Sequence, residues 1–309
     1  MRGHCLEAWA NLHEISSGDK MAQITRRDAS RAGLALPTIV RAVHVDRPAE
    51  ENLRKPKRFE EVCGFETQQI ASEHPLALLP MGSLEYHGPH KPLGSDSIII
   101  SAIAERVAAR SNALLFPTVT FTQCPAQTAH FQGTLSVRPE VMTAYFADIL
   151  RNILHLGFRK VFVLNGHDGN IGPGRGAIAQ VADETRDATL LLASWWEFLS
   201  LETMKASGVF HQRNGGHGHG GPLETSAVAA FRPDLVHLDK ARDLPEPPDL
   251  SGGPPYFLQK STATDWPGYS GHVSKASAEK GRKLVQMAED GIVKLIDNWL
   301  SHAEAPGSW

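Results

Sequence analysis

The sequence has few cysteines, little net charge and no long apolar run. Its three cysteines are odd in number and far apart, which argues against a disulfide framework and favours a reducing, cytoplasmic setting. A formal net charge of −3 gives no electrostatic footprint for nucleic acid or an anionic membrane. No stretch approaches the ~18 consecutive apolar residues that a membrane-spanning helix needs. We therefore expect no nucleic-acid partner and no membrane partner.

The N-terminal residues 1–57 show no sustained hydrophobic periodicity, so we predict a loosely ordered extension. Arg26 and Arg27 precede a short apolar stretch, which faintly resembles a twin-arginine export signal. Pro37 interrupts that stretch, however, and no small-x-small cleavage site follows it. Hydrophobic residues make up 41% of the chain, which is enough for a real core in residues 58–309.

Strand-like and helix-like segments alternate after residue 58. Apolar runs predict strands over 76–79, 114–121, 160–164 and 189–194, and helical spacing predicts helices over 97–110, 139–156, 173–184, 222–231 and 277–300. Asp96 or Ser97 is placed to cap the first of these helices. This alternation indicates an α/β fold with a mostly parallel sheet covered on both faces. Ligands bind beyond the carboxyl ends of such strands, where Glu85, His167 and Trp196 fall.

The first polar cluster follows the strand predicted over 76–79. Glu85 and His87 are two residues apart, so in an extended segment their side chains point the same way. Gly88 and Pro89 predict a turn that can bring Asp96 back toward them. Two carboxylates and an imidazole suit zinc, manganese or iron better than calcium. A polar turn without a ligand is the alternative interpretation of this cluster alone.

Two more clusters contain histidine between glycines. His167 follows an apolar strand in Asn-Gly-His, an arrangement that lifts one side chain above a sheet edge. His219 stands in a glycine-rich loop before the helix predicted over 222–231, and Glu224 stands in the first turns of that helix. Alone, these clusters could be an ordinary tight turn and a solvated loop. Three clusters at one end of one sheet favour a metal site.

The three clusters together resemble the creatininase (creatinine amidohydrolase) family. GSLEYHGPHKPLGSD resembles its G-S-x-E-x-H-G-P-H-x-P-L-G-x-D segment, and LNGHDGN resembles its N-G-H-G-G-N segment. HGGPLETS, FQGTLSV and SKASAEKGRKL resemble three further family segments in the same order, over roughly residues 75–300. The resemblance implies a three-layer α/β/α catalytic domain, two divalent metal ions (Zn, Mn or Fe) and a homo-oligomer, often a hexamer.

The resemblance also assigns roles to individual residues. Asp96 matches a ligand that bridges the two ions, and His219 matches a histidine that acts near the substrate. In creatininase a metal-binding Glu stands at the place of Gly169, so Glu224 is expected to supply the missing ligand. Pro222 stands where many members have Glu. The predicted metal ligands are Glu85, His87, Asp96, His167 and Glu224.

The predicted function is hydrolysis of an amide-type C–N bond in a small molecule, such as a cyclic amide, a lactam or a formamide. His219 is the predicted proton donor to the departing nitrogen. Trp196, His130 and Asp168 are the predicted substrate-binding residues. A peptidase that cleaves a short peptide and a non-catalytic metal-binding protein are the alternatives. Gly169 and Pro222 argue against creatinine itself as the substrate.

Overall fold

A computed structural model of the protein describes residues 55–209, 218–245 and 265–302. Residues 1–54, which hold the predicted export-like segment, lie outside the described residues, and the loosely ordered extension stays a prediction. Most of the Pro-rich segment 244–255 also lies outside them. Among the described helices, none combines the length and the apolar character that crossing a membrane requires.

The central sheet of the described chain contains four parallel strands in the order β2-β1-β3-β4. The prediction of a mostly parallel sheet is therefore confirmed. Each strand after the first is reached through a helical crossover, as parallel pairing requires. The strands are β1 Ala77–Met81, β2 Leu114–Leu115, β3 Lys160–Asn165 and β4 Thr189–Ser194.

Helices cover both faces of this sheet. Phe162 and Leu164 of β3 pack into the hydrophobic cluster under one helical layer, whereas Val161 and Val163 pack into the cluster under the other. This alternation buries both faces and gives the three-layer α/β/α fold that the sequence predicts. The described α-helices are α1 Ile70–Glu73, α2 Ser95–Ser111, α3 Ala126–Ala129, α4 Pro139–His155, α5 Ile171–Glu184, α6 Leu201–Ser207, α7 Pro222–Phe231 and α8 Ala278–Ser301.

The predicted strand over 114–121 is much shorter in the structure. Only Leu114 and Leu115 form β2, and an isolated bridge between Val119 and Met81 follows. Pro117 lies between them and has no backbone N–H to donate, so it interrupts the ladder at the sheet edge.

The predicted cap of α2 was wrong. The helix begins at Ser95 after Gly94, and no side chain caps it. Asp96 and Ser97 lie inside the first turn and contact Ser83 instead: the Ser83 hydroxyl donates to Asp96 Oδ2 (2.7 Å), and the Ser97 hydroxyl donates to the Ser83 carbonyl (2.8 Å). The Asp96 side chain is therefore available to the site beyond the sheet.

The last residues of the predicted extension contact the edge of the sheet. The Leu115 amide donates to the Lys57 carbonyl (3.1 Å), and Arg58 forms a parallel bridge with Leu115. Pro56 is buried as well. The chain is thus ordered against β2 from a few residues before position 58.

Glu289 of α8 is a buried carboxyl group between two helical elements. Its side chain is 2% exposed and lies 3.3 Å from the guanidinium of Arg106 on α2. Burial raises the pKa of Glu289 to about 7, although Arg106 and Arg110 oppose the rise. The ionised form is therefore disfavoured in the folded protein.

We predict that the change in unfolding free energy caused by Glu289→Gln, measured against wild type, is more favourable at pH 8 than at pH 5. Because the pKa of Glu289 is raised on folding from 4.5 to about 7, its contribution to stability is present below pH 4.5 and is lost as the pH rises to about 7. Gln cannot ionise, so the stability difference between variant and wild type should shift by up to about 3 kcal/mol between the two pH values. Urea unfolding of both proteins at pH 5 and pH 8 measures this difference.

Glu279→Gln, at an exposed position of the same helix, is the control and should show little dependence on pH. A Glu289→Gln effect that is equal at the two pH values would contradict the raised pKa.

Candidate metal centre

Six predicted site residues meet beyond the carboxyl ends of β1 and β3. Two follow β1, one follows β3, and the others come from the first turn of α2, from the loop before α7 and from the first turn of α7. The first four are at most 5% exposed, and the last two are partly exposed at their side chains. These residues are Glu85, His87, His167, Asp96, His219 and Glu224.

Asp96 lies between two imidazoles. Its Oδ1 is 3.2 Å from His87 Nε2, and its Oδ2 is 2.9 Å from His167 Nδ1. The two carboxylate oxygens therefore face two different histidines, from two different strand ends. The turn at Gly88 (φ +89°) helps to return the chain toward α2, which carries Asp96.

Glu85 carries a buried carboxylate oxygen without a hydrogen-bond partner. Its Oε1 accepts a short hydrogen bond from the Thr128 hydroxyl. Its Oε2 lies 3.2 Å from His167 Nδ1 and 3.8 Å from His87 Nε2, yet it makes no hydrogen bond. An unsatisfied buried carboxylate oxygen is costly, so the geometry indicates that a cation belongs beside it.

Glu224 approaches the same centre from α7. Its Oε2 lies 3.7 Å from His87 Nε2 and accepts hydrogen bonds from the Gly220 amide (2.8 Å) and from Lys91 Nζ (3.3 Å). The Lys91 side chain is fully buried, and burial lowers the pKa of its amine, opposed by Glu224 and Asp96. The sequence offered no signal for Lys91, because a lysine beside a glycine turn usually lies in solvent.

The electrostatics of the centre favour added positive charge. Burial lowers the pKa of His87, but the Asp96 and Glu224 carboxylates outweigh it and raise the value to about 9. Burial opposes the shift at His167 too, while Glu85 and Asp96 raise its pKa well above the ordinary value. Without metal, these histidines are therefore protonated and balance the carboxylates.

The residues present fit divalent metal ions. Ligand atoms of His87, Asp96 and Glu224 all lie within 4.8 Å of one another. Glu85, Asp96 and His167 form a second set, with 3.2 and 2.9 Å between neighbouring ligand atoms. Imidazole and carboxylate ligands suit zinc, manganese and iron. The donor set and the unpartnered Glu85 oxygen both agree with such ions.

Gly169 is the position at which the family resemblance implies a metal-binding Glu, and the structure leaves little room for a side chain there. A Cβ at Gly169 would lie 2.5 Å from the Gln123 carbonyl oxygen and 2.5 Å from His167 Nε2. These two atoms also contact each other at 2.9 Å, as a hydrogen bond to the Gln123 carbonyl. The position is closed to larger residues, and Glu224 approaches His87 from another element.

His219 stacks on His87, with 4.2 Å between ring centroids. Its Nε2 lies 2.9 Å from the Tyr86 carbonyl, which can only accept, so Nε2 carries the proton of the neutral ring. Nδ1 then has a free lone pair and lies 3.7 Å from Glu85 Oε2. Burial lowers the pKa of His219, although Glu85 opposes the shift, so the neutral ring is favoured at neutral pH.

The three predicted substrate-binding residues lie at different places around the fold. Trp196 is half-buried against the core cluster under α8, with its ring edge against Trp195. His130 is exposed at the end of α3, and its ring centroid lies 4.2 Å from that of Phe131. Asp168 is exposed directly after His167. Their contact with substrate stays a prediction.

Four residues around the centre were missed by the sequence reasoning. Each contacts a predicted site residue from a segment distant in sequence, so no local pattern could have identified it. Trp266, for example, lies 5.6 Å from the His219 ring between centroids. Burial raises the pKa of the Cys124 thiol, which contacts His167. The four are Lys91, Cys124, Thr128 and Trp266.

An α/β/α fold with imidazoles and carboxylates clustered beyond its strand ends is typical of a metal-dependent enzyme, and comparison with known proteins gives the family. The family model described as creatinine amidohydrolase matches residues 60–296. The chain belongs to the creatininase family, whose members include metal-dependent amidohydrolases.

Characterised relatives support this assignment. Creatinine amidohydrolase of Pseudomonas putida is 31% identical over 245 residues, which cover 74% of this chain and 91% of the relative. A mycofactocin precursor peptide peptidase of Mycobacterium ulcerans is 30% identical over 243 residues, which cover 75% of this chain and 89% of the relative.

Solved creatininase structures share the fold. A crystal structure of creatinine amidohydrolase has a TM-score of 0.69 and 26% identity, and covers 81% of this chain and all of that chain. Other similar creatininase structures include a manganese form and a mutant of Zn–Zn type. A divalent metal ion is therefore the expected cofactor of this fold.

We predict that Asp96→Ala removes more metal than His87→Ala. Asp96 faces both histidines and would hold both ions, whereas His87 would hold one. The Asp96 variant should therefore retain close to no divalent metal, and the His87 variant about one equivalent, by elemental analysis after dialysis. Asp183→Ala, an exposed carboxylate on α5, is the control and should stay fully loaded. Equal metal loss in the two site variants would remove the bridging role of Asp96.

Proposed function

We propose that this protein is a binuclear amidohydrolase that cleaves an amide-type C–N bond in a small cyclic amide, lactam or formamide. The observation that carries the proposal is Asp96, whose two oxygens face His87 and His167 separately. With an imidazole on each side, Asp96 would be able to hold an ion at each of its two oxygens. We assign Glu85, Asp96 and His167 to one ion, and His87, Asp96 and Glu224 to the other.

Divalent ions in such a site polarise a carbonyl group and lower the pKa of a water molecule toward neutrality. The residues of the chain then have to move protons and hold the substrate. His219 Nδ1 faces the centre with a free lone pair, so it can accept the proton of the attacking water. The resulting imidazolium can donate that proton to the departing nitrogen, which completes hydrolysis without a further proton source.

The Tyr86 carbonyl and the His87 ring position His219 for this role. The hydrogen bond from Nε2 to Tyr86 fixes the tautomer, and stacking on His87 fixes the plane of the ring. When the ring is protonated, the Glu85 carboxylate at 3.7 Å stabilises the charge. His219 thus acts beside the ions as a proton carrier, although its imidazole could also reach a metal with Glu85 and His87.

Aromatic side chains next to His219 favour a small, flat substrate. Tyr86 and Phe131 stack with 4.6 Å between ring centroids, and Trp266 packs edge-on against Phe131 at 6.1 Å. Trp266 Nε1 donates to the Tyr269 carbonyl (2.8 Å), which fixes the indole beside His219. Rigid apolar walls of this kind select planar groups by shape and desolvation.

The test of the function is metal-dependent hydrolysis on a defined panel. Purified protein should contain one to two divalent ions per chain and should hydrolyse a lactam, a cyclic ureide or a formamide more efficiently than a short peptide. Chelation should abolish the activity, and zinc or manganese should restore it. Creatinine belongs in the panel as a weak substrate, because Gly169 and Pro222 differ from creatininase.

Two results would count against this function. Full activity of metal-stripped protein would exclude the metal-dependent mechanism. Exclusive cleavage of the peptide would favour the peptidase alternative. That alternative is relevant because the chain is similar to a mycobacterial peptidase.

We predict that His219→Ala keeps its metal but loses turnover by roughly 10²–10⁴-fold, the usual contribution of a positioned acid or base. Glu224→Ala should instead lose about one metal equivalent, because its carboxylate is assigned to ligation. Metal content and turnover are measured side by side on both variants, with His155→Ala at an exposed helix end as the control. Metal loss in His219→Ala together with a fully loaded Glu224→Ala would show that the two roles are exchanged.

The assembly and the location of the protein stay predictions. The family resemblance favours a homo-oligomer, a hexamer in particular, and the low cysteine content favours the cytoplasm.

A further inference from the structure

Cys124 is a buried cysteine that shares a possible metal-ligand group with two residues of the proposed centre. It is 3% exposed and lies just before α3. Hydrogen bonds to Ser136 fix its segment: the Cys124 amide donates to the Ser136 hydroxyl (2.9 Å), and that hydroxyl donates to the Cys124 carbonyl (3.1 Å). The preceding residue, Gln123, accepts the hydrogen bond from His167 through its carbonyl (2.9 Å). One segment therefore positions both the thiol and the imidazole.

Cys124 shares a potential ligand set with Glu85 and His167. One ligand atom from each residue lies within 4.8 Å of the others, and all three residues are buried. Zinc binds sulfur at about 2.3 Å and nitrogen or oxygen at about 2.0–2.2 Å, so ligand atoms around one tetrahedral ion lie roughly 3.2–3.7 Å apart. Independently of the thiol, Glu85 Oε2 is fully buried and has no hydrogen-bond partner, so it is available to a cation.

The two proposed metal positions differ in chemistry. His87, Asp96 and Glu224 offer only nitrogen and oxygen, whereas the position at Glu85 and His167 has a sulfur atom next to it. Thiolates favour zinc and other soft ions, while carboxylate-rich sets also accept manganese. The sulfur would therefore make the two positions unequal.

We propose that the Cys124 thiolate is a further ligand of the ion held by Glu85 and His167, and that it gives this position a preference for zinc-type ions. The inference rests on the proposed metal centre and adds to it the identity of one ligand. Binding replaces the thiol proton by the metal ion, and the proton is released to solvent. The position at His87 and Glu224 lacks sulfur, and its nitrogen and oxygen ligands also accept manganese.

The test uses cobalt(II), because a thiolate ligand gives it a charge-transfer absorption in the near ultraviolet. The full chain with Cys5→Ser and Cys63→Ser keeps Cys124 as its single cysteine and leaves the proposed centre unchanged. Metal-free protein is titrated with cobalt(II) while absorption and bound cobalt are measured. We expect the charge-transfer band to appear with one equivalent of cobalt and to require Cys124.

The matched control is Cys124→Ser, which keeps Cys5 and Cys63. It should bind cobalt without the charge-transfer band. When zinc and manganese compete for the variant, its preference for zinc should fall at least about tenfold. Tenfold is the lower end of the effect found for residues that only support a metal ligand.

The outcomes separate the inference from the proposed function. Cobalt bound without a charge-transfer band in the Cys124-only chain would overturn the Cys124 ligand and leave the metal centre intact. This result comes from a chain that keeps Cys124, so it does not depend on whether the Cys124→Ser variant folds. Failure of the Cys124-only chain and of wild type to bind cobalt, zinc or manganese would overturn the metal centre itself.

Discussion

Three carboxylates in a small buried volume are the constraint on which the site depends. Glu85 and Asp96 are almost completely buried, and Glu224 is only partly exposed. Carboxylates in a low-dielectric interior need opposite charge nearby, since burial alone would favour their neutral forms. Lys91 supplies one such charge at Glu224, and the protonated rings of His87 and His167 supply two more. Two divalent ions would take the place of the imidazole protons.

The sheet brings these charges together because its neighbouring strands are parallel. Parallel β1 and β3 end at the same edge, so the residues that follow each of them converge there. The first turns of α2 and α7 then add Asp96 and Glu224 from the helical layer that packs on one face. Local rigidity follows from the polar contacts behind the ligands. Asn165, for example, accepts from the His167 amide (3.1 Å) and donates to its carbonyl (2.8 Å).

Gly169 is a position at which the chain departs from the ligand set that the family resemblance implies. A side chain there would collide with the Gln123 carbonyl and His167, so a carboxylate cannot come from this turn. A carboxylate oxygen of Glu224, on α7, lies 3.7 Å from His87 Nε2. The same segment that closes position 169 also carries Cys124 next to His167. The segment of Gln123 and Cys124 therefore both limits the space at position 169 and places a thiol beside His167.

The sequence by itself determined the elements whose information is local. The apolar runs predicted β3 and β4 almost to the residue, and helical spacing predicted α4, α7 and α8 to within two residues, because side-chain periodicity directly reflects burial. The glycine-flanked histidines and paired carboxylates likewise indicated a metal site. Only the tertiary structure decided what depends on distant contacts. It shortened β2, and it directed Asp96 toward Ser83 and the site, so that this residue does not cap α2. It also placed four further residues beside the predicted site residues: Lys91, Cys124, Thr128 and Trp266. These contacts join segments far apart along the chain, and no local pattern records which side chains the packing of β1, β3, α2 and α7 brings within a few ångströms.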